Sequence, residues 1–452
     1  MLRAFLAATF LANPASIATH EPPPPVVVNE HVKLQDIDGF GIAQAFRRTE
    51  LVRQLPEDQQ QQITDLWFNK KTGAGFSILR FGIGSAPTGA PYDQMWSIQP
   101  TDPGGPDAPP QYVWDHDDGS QVWLAKIAKS YGVKRFYGDA WSAPGYMKDN
   151  GVQENGGQLC GITGSTCTAD WRAAYARYLV QWTKFYAQEG IRITDLGFTN
   201  EPDFTASYAS MRFTPAQAVE FVKILGPIAR GTGLKIACCD SFGWNEARAY
   251  TAAIQADPIA RHYVDTYTGH TYASPVDGPQ PTRGNVWMSE WNPNGSTWNE
   301  NWDDGSGYDG MTIAQAVHDA MTLGNANGYV YWFGESRGAT RGLMQVDVPA
   351  QTFHISKRFW ALAAYSRFIR PGAVRLQASA PDPALKVSAF RNNDGSEVIE
   401  VLNTGTAAVT WKGVNGRATA YLTDGGNSLT PSPVTHRTVV LQPRALTTIV
   451  IK

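Results

Sequence analysis

Residues 170–202, DWRAAYARYLVQWTKFYAQEGIRITDLGFTNEP, decide the fold. Trp171, Tyr175, Tyr178, Leu179, Trp182 and Tyr186 recur at helical spacing, which predicts a helix over 170–189. Thr168 stands where an N-cap is expected, and Gly190 where the helix should stop. After a short turn, residues 193–199 read as an apolar strand that ends on Asn200, Glu201 and Pro202. Helix, turn, buried strand and polar tip make one repeat of an α/β protein.

The same pattern extends in both directions. Strands are predicted at 38–46, 77–84, 134–140, 193–199, 234–240, 263–270, 285–290 and 328–333. Helical patterns lie at 57–69, 121–131, 170–189, 214–230, 312–325 and 353–370, while the crossover after His270 reads as loop. Eight strand–crossover units predict a (β/α)8 TIM barrel over residues 38–370, with reactive groups at the C-terminal strand ends. An open doubly wound sheet is the competitor, but Gly82-Ile83-Gly84 is too incomplete for a nucleotide fingerprint. Past Arg370-Pro371-Gly372 come short β-rich runs at 386–390, 397–402, 407–411, 418–422, 438–441 and 447–451. They predict an antiparallel β-sandwich side domain over 371–452. The segment 19–37 joins it, with residues 26–34 able to add strands.

Composition bounds the function. Of 452 residues, 42% are hydrophobic and 17% charged, which excludes a disordered chain. A net charge of −3 argues against a nucleic-acid partner held by bulk electrostatics. Fifteen Trp and 18 Tyr suit stacking on sugar rings. Residues 1–18 open with Met1-Leu2-Arg3, continue through an apolar run and end Ser16-Ile17-Ala18, the pattern of a signal peptide. A secreted, extracellular protein with no membrane span is therefore expected; a monomer with a polysaccharide partner is a separate expectation. Cys160 and Cys167 bracket a Gly-rich stretch that a local disulfide could staple. Cys238 and Cys239, inside an apolar strand-like run, are expected as buried thiols rather than as a strained vicinal bridge. No Cys/His spacing suggests a metal site, and His116-Asp117-Asp118 reads as a solvated loop.

Two strand ends carry glutamates. The fourth strand delivers Glu201 behind Asn200, and the seventh ends Met288-Ser289-Glu290-Trp291. Two carboxylates facing across a sugar cleft can divide glycosidic cleavage, one protonating the leaving group while the other attacks or activates water. A gap of about 5–5.5 Å means retention, and roughly 6.5–9.5 Å inversion. Glu335, at the end of the eighth strand, is a third candidate, and Asp139 and Asp240 are read as supporting acceptors.

The chain resembles glycoside hydrolase family 30. The resemblance rests on Gly39-Phe40-Gly41, Leu79-Arg80-Phe81-Gly82-Ile83-Gly84-Ser85, Ala140-Trp141-Ser142-Ala143-Pro144-Gly145-Tyr146-Met147-Lys148, Asn200-Glu201-Pro202, Met288-Ser289-Glu290 and Ser366-Arg367-Phe368-Ile369-Arg370-Pro371-Gly372. It implies Glu201 as acid/base, Glu290 as nucleophile, double displacement and no cofactor. It further implies that Asn200 binds the 2-hydroxyl beside the scissile bond and that Arg80 lies beneath the nucleophile and helps hold it ionised. Tyr272 would touch Glu290, Trp141 and Trp332 would form floor and wall, and Trp291 would contact substrate. Residues 39–48, 155–167 and 200–211 look most like the fungal xylan-cleaving members, glucuronoxylanases among them. Two arginine pairs could read a uronic-acid branch, Arg47 with Arg48 after the first strand or Arg337 with Arg341 after the eighth. The strand-one pair is the expected reader. Alternatives are a β-1,6-galactanase, a β-1,6-glucanase or an enzyme of glucosylated lipid in the same family, or a catalytically silent carbohydrate-binding protein. The sequon Asn294-Gly295-Ser296 lies just past Glu290, in a Trp-, Asn- and Asp-rich loop over 292–308.

Overall fold

A computed structural model describes residues 25–91, 94–414 and 416–452. The expected signal peptide lies outside the described residues.

The first strand, β1 (Val27–Asp36), precedes eight parallel ones: β2 (Gly39–Ala43), β3 (Ile78–Ile83), β4 (Arg135–Ala140), β5 (Asp195–Leu196), β6 (Lys235–Ser241), β7 (Val264–His270), β8 (Asn285–Glu290) and β9 (Gly328–Ser336). Neighbours pair in order, and β9 pairs with both β8 and β2, so the sheet closes into a barrel. The strands read as near-continuous apolar runs because both faces are covered; every residue of β3 is buried. Outside them lie helices such as Arg172–Gln188 and Pro215–Arg230. The second starts where Thr214 and Gln217 form a capping box ahead of Pro215, as proline's missing N–H allows. The crossover between β7 and β8 is loop, as expected.

Several local expectations need correcting. Thr168 does not cap the long helix, which begins at Arg172 after Trp171 without a side-chain cap. Asp170 Oδ1 accepts the Arg172 N–H instead (3.1 Å). The helix expected from residue 353 starts at Lys357. Ahead of it a hairpin, β10 (Gly342–Asp347) and β11 (Thr352–Ile355), extends the sheet beyond β9. Two helices after β6, Trp244–Ala256 and Pro258–Tyr263, were not foreseen. Cys238 and Cys239 are not free thiols but disulfide-bonded to each other across a cis peptide. Cys160 and Cys167 are bonded as expected. Asp118 is no solvated loop residue either. Its carboxylate accepts from Trp182 Nε1 (3.0 Å) and Tyr186 Oη (2.8 Å), and burial pushes it up to about 7.

The side domain contains β12 (Val374–Ser379), β13 (Leu385–Arg391), β14 (Glu397–Asn403), β15 (Val409–Lys412), β16 (Ala418–Thr423), β17 (Ser428–Ser432), β18 (Thr438–Leu441) and β19 (Ala445–Ile451). A seven-stranded sheet runs β1-β12-β13-β14-β19-β16-β17, and the β15–β18 pair covers it. Trp411, Val439 and Leu441 of the small sheet share a core with Leu376, Val401 and Ile449 of the large one, which makes the pair a sandwich. The N-terminal strand joins this domain through β12.

Candidate active site

The C-terminal strand ends converge on Arg80. Its guanidinium is fully buried, donates from Nη1 to Glu290, and from Nη2 to Asp139 Oδ2 (2.7 Å) and Asn200 Oδ1 (2.5 Å). Burial opposes its charge, yet Asp240, Glu290 and Asp139 hold its pKa well above the ordinary value. Tyr272 Oη donates to the other oxygen of Glu290 (3.0 Å) and accepts from Asn292 Nδ2 (3.0 Å). Glu290 is thus fixed on two sides.

Glu201 sits at φ 49°, in the left-handed region that costs a non-glycine residue, as does Asp240 at φ 51°. The Glu201 N–H donates to the Asp240 carbonyl (2.8 Å), so the two unusual turns support each other. His270, at the end of β7, lies between their side chains. Its Nδ1 is hydrogen-bonded with Glu201 Oε1 (3.1 Å) and its Nε2 with Asp240 Oδ1 (3.3 Å). Burial disfavours the imidazolium, but Glu290, Asp240 and Glu201 outweigh it and raise the ring to about 10. Burial raises Glu201, and the charge of Glu290 adds to the rise. Asp240 goes the other way, because Arg80, His270 and Ser289 overcome its burial and hold it below the usual carboxylate range.

Glu201, His270 and Glu290 each bring a ligand-type atom within 4.8 Å of the others. Such a cluster could hold a cation by distance alone. Both His270 nitrogens are already engaged within the site, Nδ1 by Glu201 Oε1 and Nε2 by Asp240 Oδ1. What remains is two carboxylates of unequal environment at the floor of a 430 Å³ cleft.

Aromatics wall that cleft. Trp141 and Trp332 lie 5.5 Å apart, tilted by 38°, with Arg80 4.7 Å from the first ring and 5.9 Å from the second. Phe46, Phe204, Tyr208 and Phe242 complete the apolar lining, and Tyr208 Oη donates to Glu201 Oε2 (3.4 Å). Asn292 and Asn294 bring the start of the 292–308 loop to the same wall.

Two expected contacts are not there. Trp291 packs half-buried against the barrel core, because the residue after an inward-pointing Glu290 faces outward. Arg47 leaves the cleft as well. Phe46 and Arg47 take left-handed backbone (φ 57° and 56°), which turns Arg47 onto Glu50 (2.7 Å) and over the Trp96 ring (4.4 Å). Arg48 does line the cleft, as does Arg341 from the loop after β9, so the residues gathered here come one from each arginine pair. Glu335 lies behind the wall, fully buried, accepting from Gln44 Nε2 (2.8 Å) and raised to about 7 by that burial. Sequence reasoning passed over His270 and Tyr208 as site residues. For His270 the signal was present, since it ends a strand as Glu290 does.

The geometry agrees with known proteins. The family model described as "O-Glycosyl hydrolase family 30" matches residues 24–271, and that of the "Glycosyl hydrolase family 30 beta sandwich domain" matches 372–449. The glucuronoxylanase XynC of Bacillus subtilis is 25% identical over 351 residues, covering 74% of this chain and 77% of that protein. An endo-1,6-β-D-glucanase of Trichoderma harzianum, BGN16.3, is 23% identical over 82% of this chain and 78% of its own. Among solved structures, the catalytic domain of the GH30 xylanase C from Talaromyces cellulolyticus superposes with a TM-score of 0.88 at 38% identity, covering 94% of this chain and 99% of that one. Barrel and sandwich thus both match one family, and the chain belongs to glycoside hydrolase family 30.

Proposed function

We propose that the protein hydrolyses β-1,4-xylan with retention, Glu290 acting as nucleophile and Glu201 as acid/base. The observation that carries this is the closeness of the two carboxylates, with atoms within 4.8 Å, alongside the about 5–5.5 Å spacing of retaining sites. Their surroundings favour the division of roles. Arg80 and Tyr272 orient Glu290 for attack at the anomeric carbon, while burial and the Glu290 charge raise Glu201 and so favour its role as the acid for the leaving oxygen. Forming the glycosyl ester removes that charge, so Glu201 can ionise and then deprotonate the incoming water.

Xylan is favoured by the 38% identity to a xylanase, and a uronic-acid branch by Arg48 and Arg341 at the cleft. Arg48 is the proposed reader. Secretion and a monomeric state belong to the same reading.

Mass-spectrometric product profiles from glucuronoxylan, plain xylan, β-1,6-galactan and β-1,6-glucan test it, with Glu290→Gln as the control. Xylo-oligosaccharides with a uronate at one fixed position are expected; products from a β-1,6-linked glycan alone would keep the chemistry and overturn the substrate. Arg48→Ala should lower the activity ratio of glucuronoxylan to unbranched xylo-oligosaccharide about tenfold or more, for a charged hydrogen bond of about 1.5–3 kcal/mol. Arg47→Ala should leave the ratio in place. The same fall in both variants would mean that neither arginine reads the branch specifically.

A further inference from the structure

A second cavity, of 1360 Å³, lies at the opposite end of the barrel from the two glutamates. Its barrel wall is made of strand beginnings, Arg135 of β4, Asp195 of β5 and Lys235 of β6, and its other wall belongs to β16, β19 and the β13–β14 turn of the side domain. The lining holds nine lysines and arginines against four aspartates, although the whole chain carries a net charge of −3. Two of those aspartates, Asp38 and Asp195, are already tied to Arg135 at 2.6 and 3.0 Å.

Several of the remaining cations have no ion pair among the described residues. Arg367 donates to the carbonyls of Gly73 and Thr72, and Arg370 to those of Gly75 and Ser366. Neither meets a carboxylate within 4 Å among the described residues, and burial lowers both to about 10. Lys134, Arg192 and Lys235 stand exposed along the same groove, likewise without a carboxylate partner among the described residues. Arg367 also lies over the Trp360 and Phe368 rings, and half-buried cations that meet only carbonyls and rings gain most from an anion that enters beside them. On the same lining Phe368 and Tyr421 form a half-buried pair, ring centres 4.6 Å apart. Apolar faces next to unpaired cations match a sugar chain that bears carboxylates.

We infer that this groove is a second, non-catalytic binding site for a uronate-bearing polysaccharide, holding the polymer at the far end of the barrel while the cleft works on it. The inference rests on the reading of an acidic xylan as substrate, yet its test needs no turnover. Full-length Glu290→Gln protein is run in native gels containing glucuronoxylan, carboxyl-reduced glucuronoxylan or single-stranded DNA. A second protein adds Lys134→Glu, Arg192→Glu and Lys235→Glu, and its melting temperature is compared to confirm folding.

Glucuronoxylan should retard the first protein, its carboxyl-reduced form should do so several-fold less, and the added substitutions should weaken retardation by glucuronoxylan at least fivefold. Equal retardation of the two proteins would overturn the groove as the site. Retardation by DNA but not by glucuronoxylan would overturn the ligand class. Failure of xylan hydrolysis by the wild type would strike the proposed activity alone, since the gels report on binding whatever the enzyme cleaves.

Discussion

His270 shows how a single side chain organises the site. It bonds Glu201 and Asp240 at once, and its ring is raised from 6.5 to about 10. A group raised on folding contributes stability that is fully present below its unfolded value and is lost as pH rises through its folded one. The gap in stability between wild type and His270→Gln should therefore be widest near pH 6 and shrink toward pH 10, as urea unfolding at both pH values will show. A gap that grows with pH would mean the ring is neutral in the fold. Glu201 and Glu290 should separate in a different assay. Glu201→Gln should slow polysaccharide hydrolysis about 10²- to 10⁴-fold, but spare the first step on an aryl glycoside whose leaving group needs no proton. Glu290→Gln should abolish both. Equal losses on the two substrates in the Glu201 variant would remove its role as acid.

Single elements hold these side chains in place through close approach. Gly197 directly follows β5, and a Cβ there would stand 2.0 Å from Asp139 Oδ1 and 2.5 Å from Tyr137 Oη. Asp139 is a partner of Arg80, so even a methyl group would push on the support of Glu290. Gly197→Ala should cost about 1–3 kcal/mol of stability and lower kcat. Unfolding curves and kinetics matching wild type would show that this strand end yields freely. The element scale also shows what the sequence could reveal. Barrel strands were legible because an interior covered on both faces demands long apolar runs, and Asn200, Glu201 and Glu290 stood out as polar tips on them. The hairpin Gly342–Ile355 was not, since Phe353 and Ile355 fit a helical or a strand period equally well in so short a run. Arg47 and Trp291 were misplaced because facing is set by local backbone, left-handed at Arg47 and alternating past Glu290, which residue type does not record.

At the scale of the whole molecule, the side domain is part of the barrel's own fold. Phe390, Val398, Leu402 and Leu446 of the sandwich belong to the same apolar core as Ile313, Val317, Phe359 and Leu362 of the barrel helices. The chain also enters the sandwich before it builds the barrel, because β1 pairs with β12 at Val27–Ser379 and Val28–Ala378. The domain reaches the active site too. Arg444 pairs with Asp303 (2.6 Å) and its carbonyl accepts from Trp302 Nε1 (2.6 Å), anchoring the loop whose first residues, Asn292 and Asn294, wall the cleft. Two units that share a core and exchange a strand should unfold together. Calorimetry on the intact chain should therefore give one transition, and a chain ended after Gly372 should fail to accumulate as soluble enzyme, with β1 left unpaired and the barrel helices stripped of their apolar cover. Two well-separated transitions, or an active barrel from the shortened chain, would make the sandwich an appendage. Arg444→Ala should then distinguish cover from control: with the shared core untouched, it should preserve the single transition and raise KM, because the anchored loop rather than the chemistry is what that arginine holds.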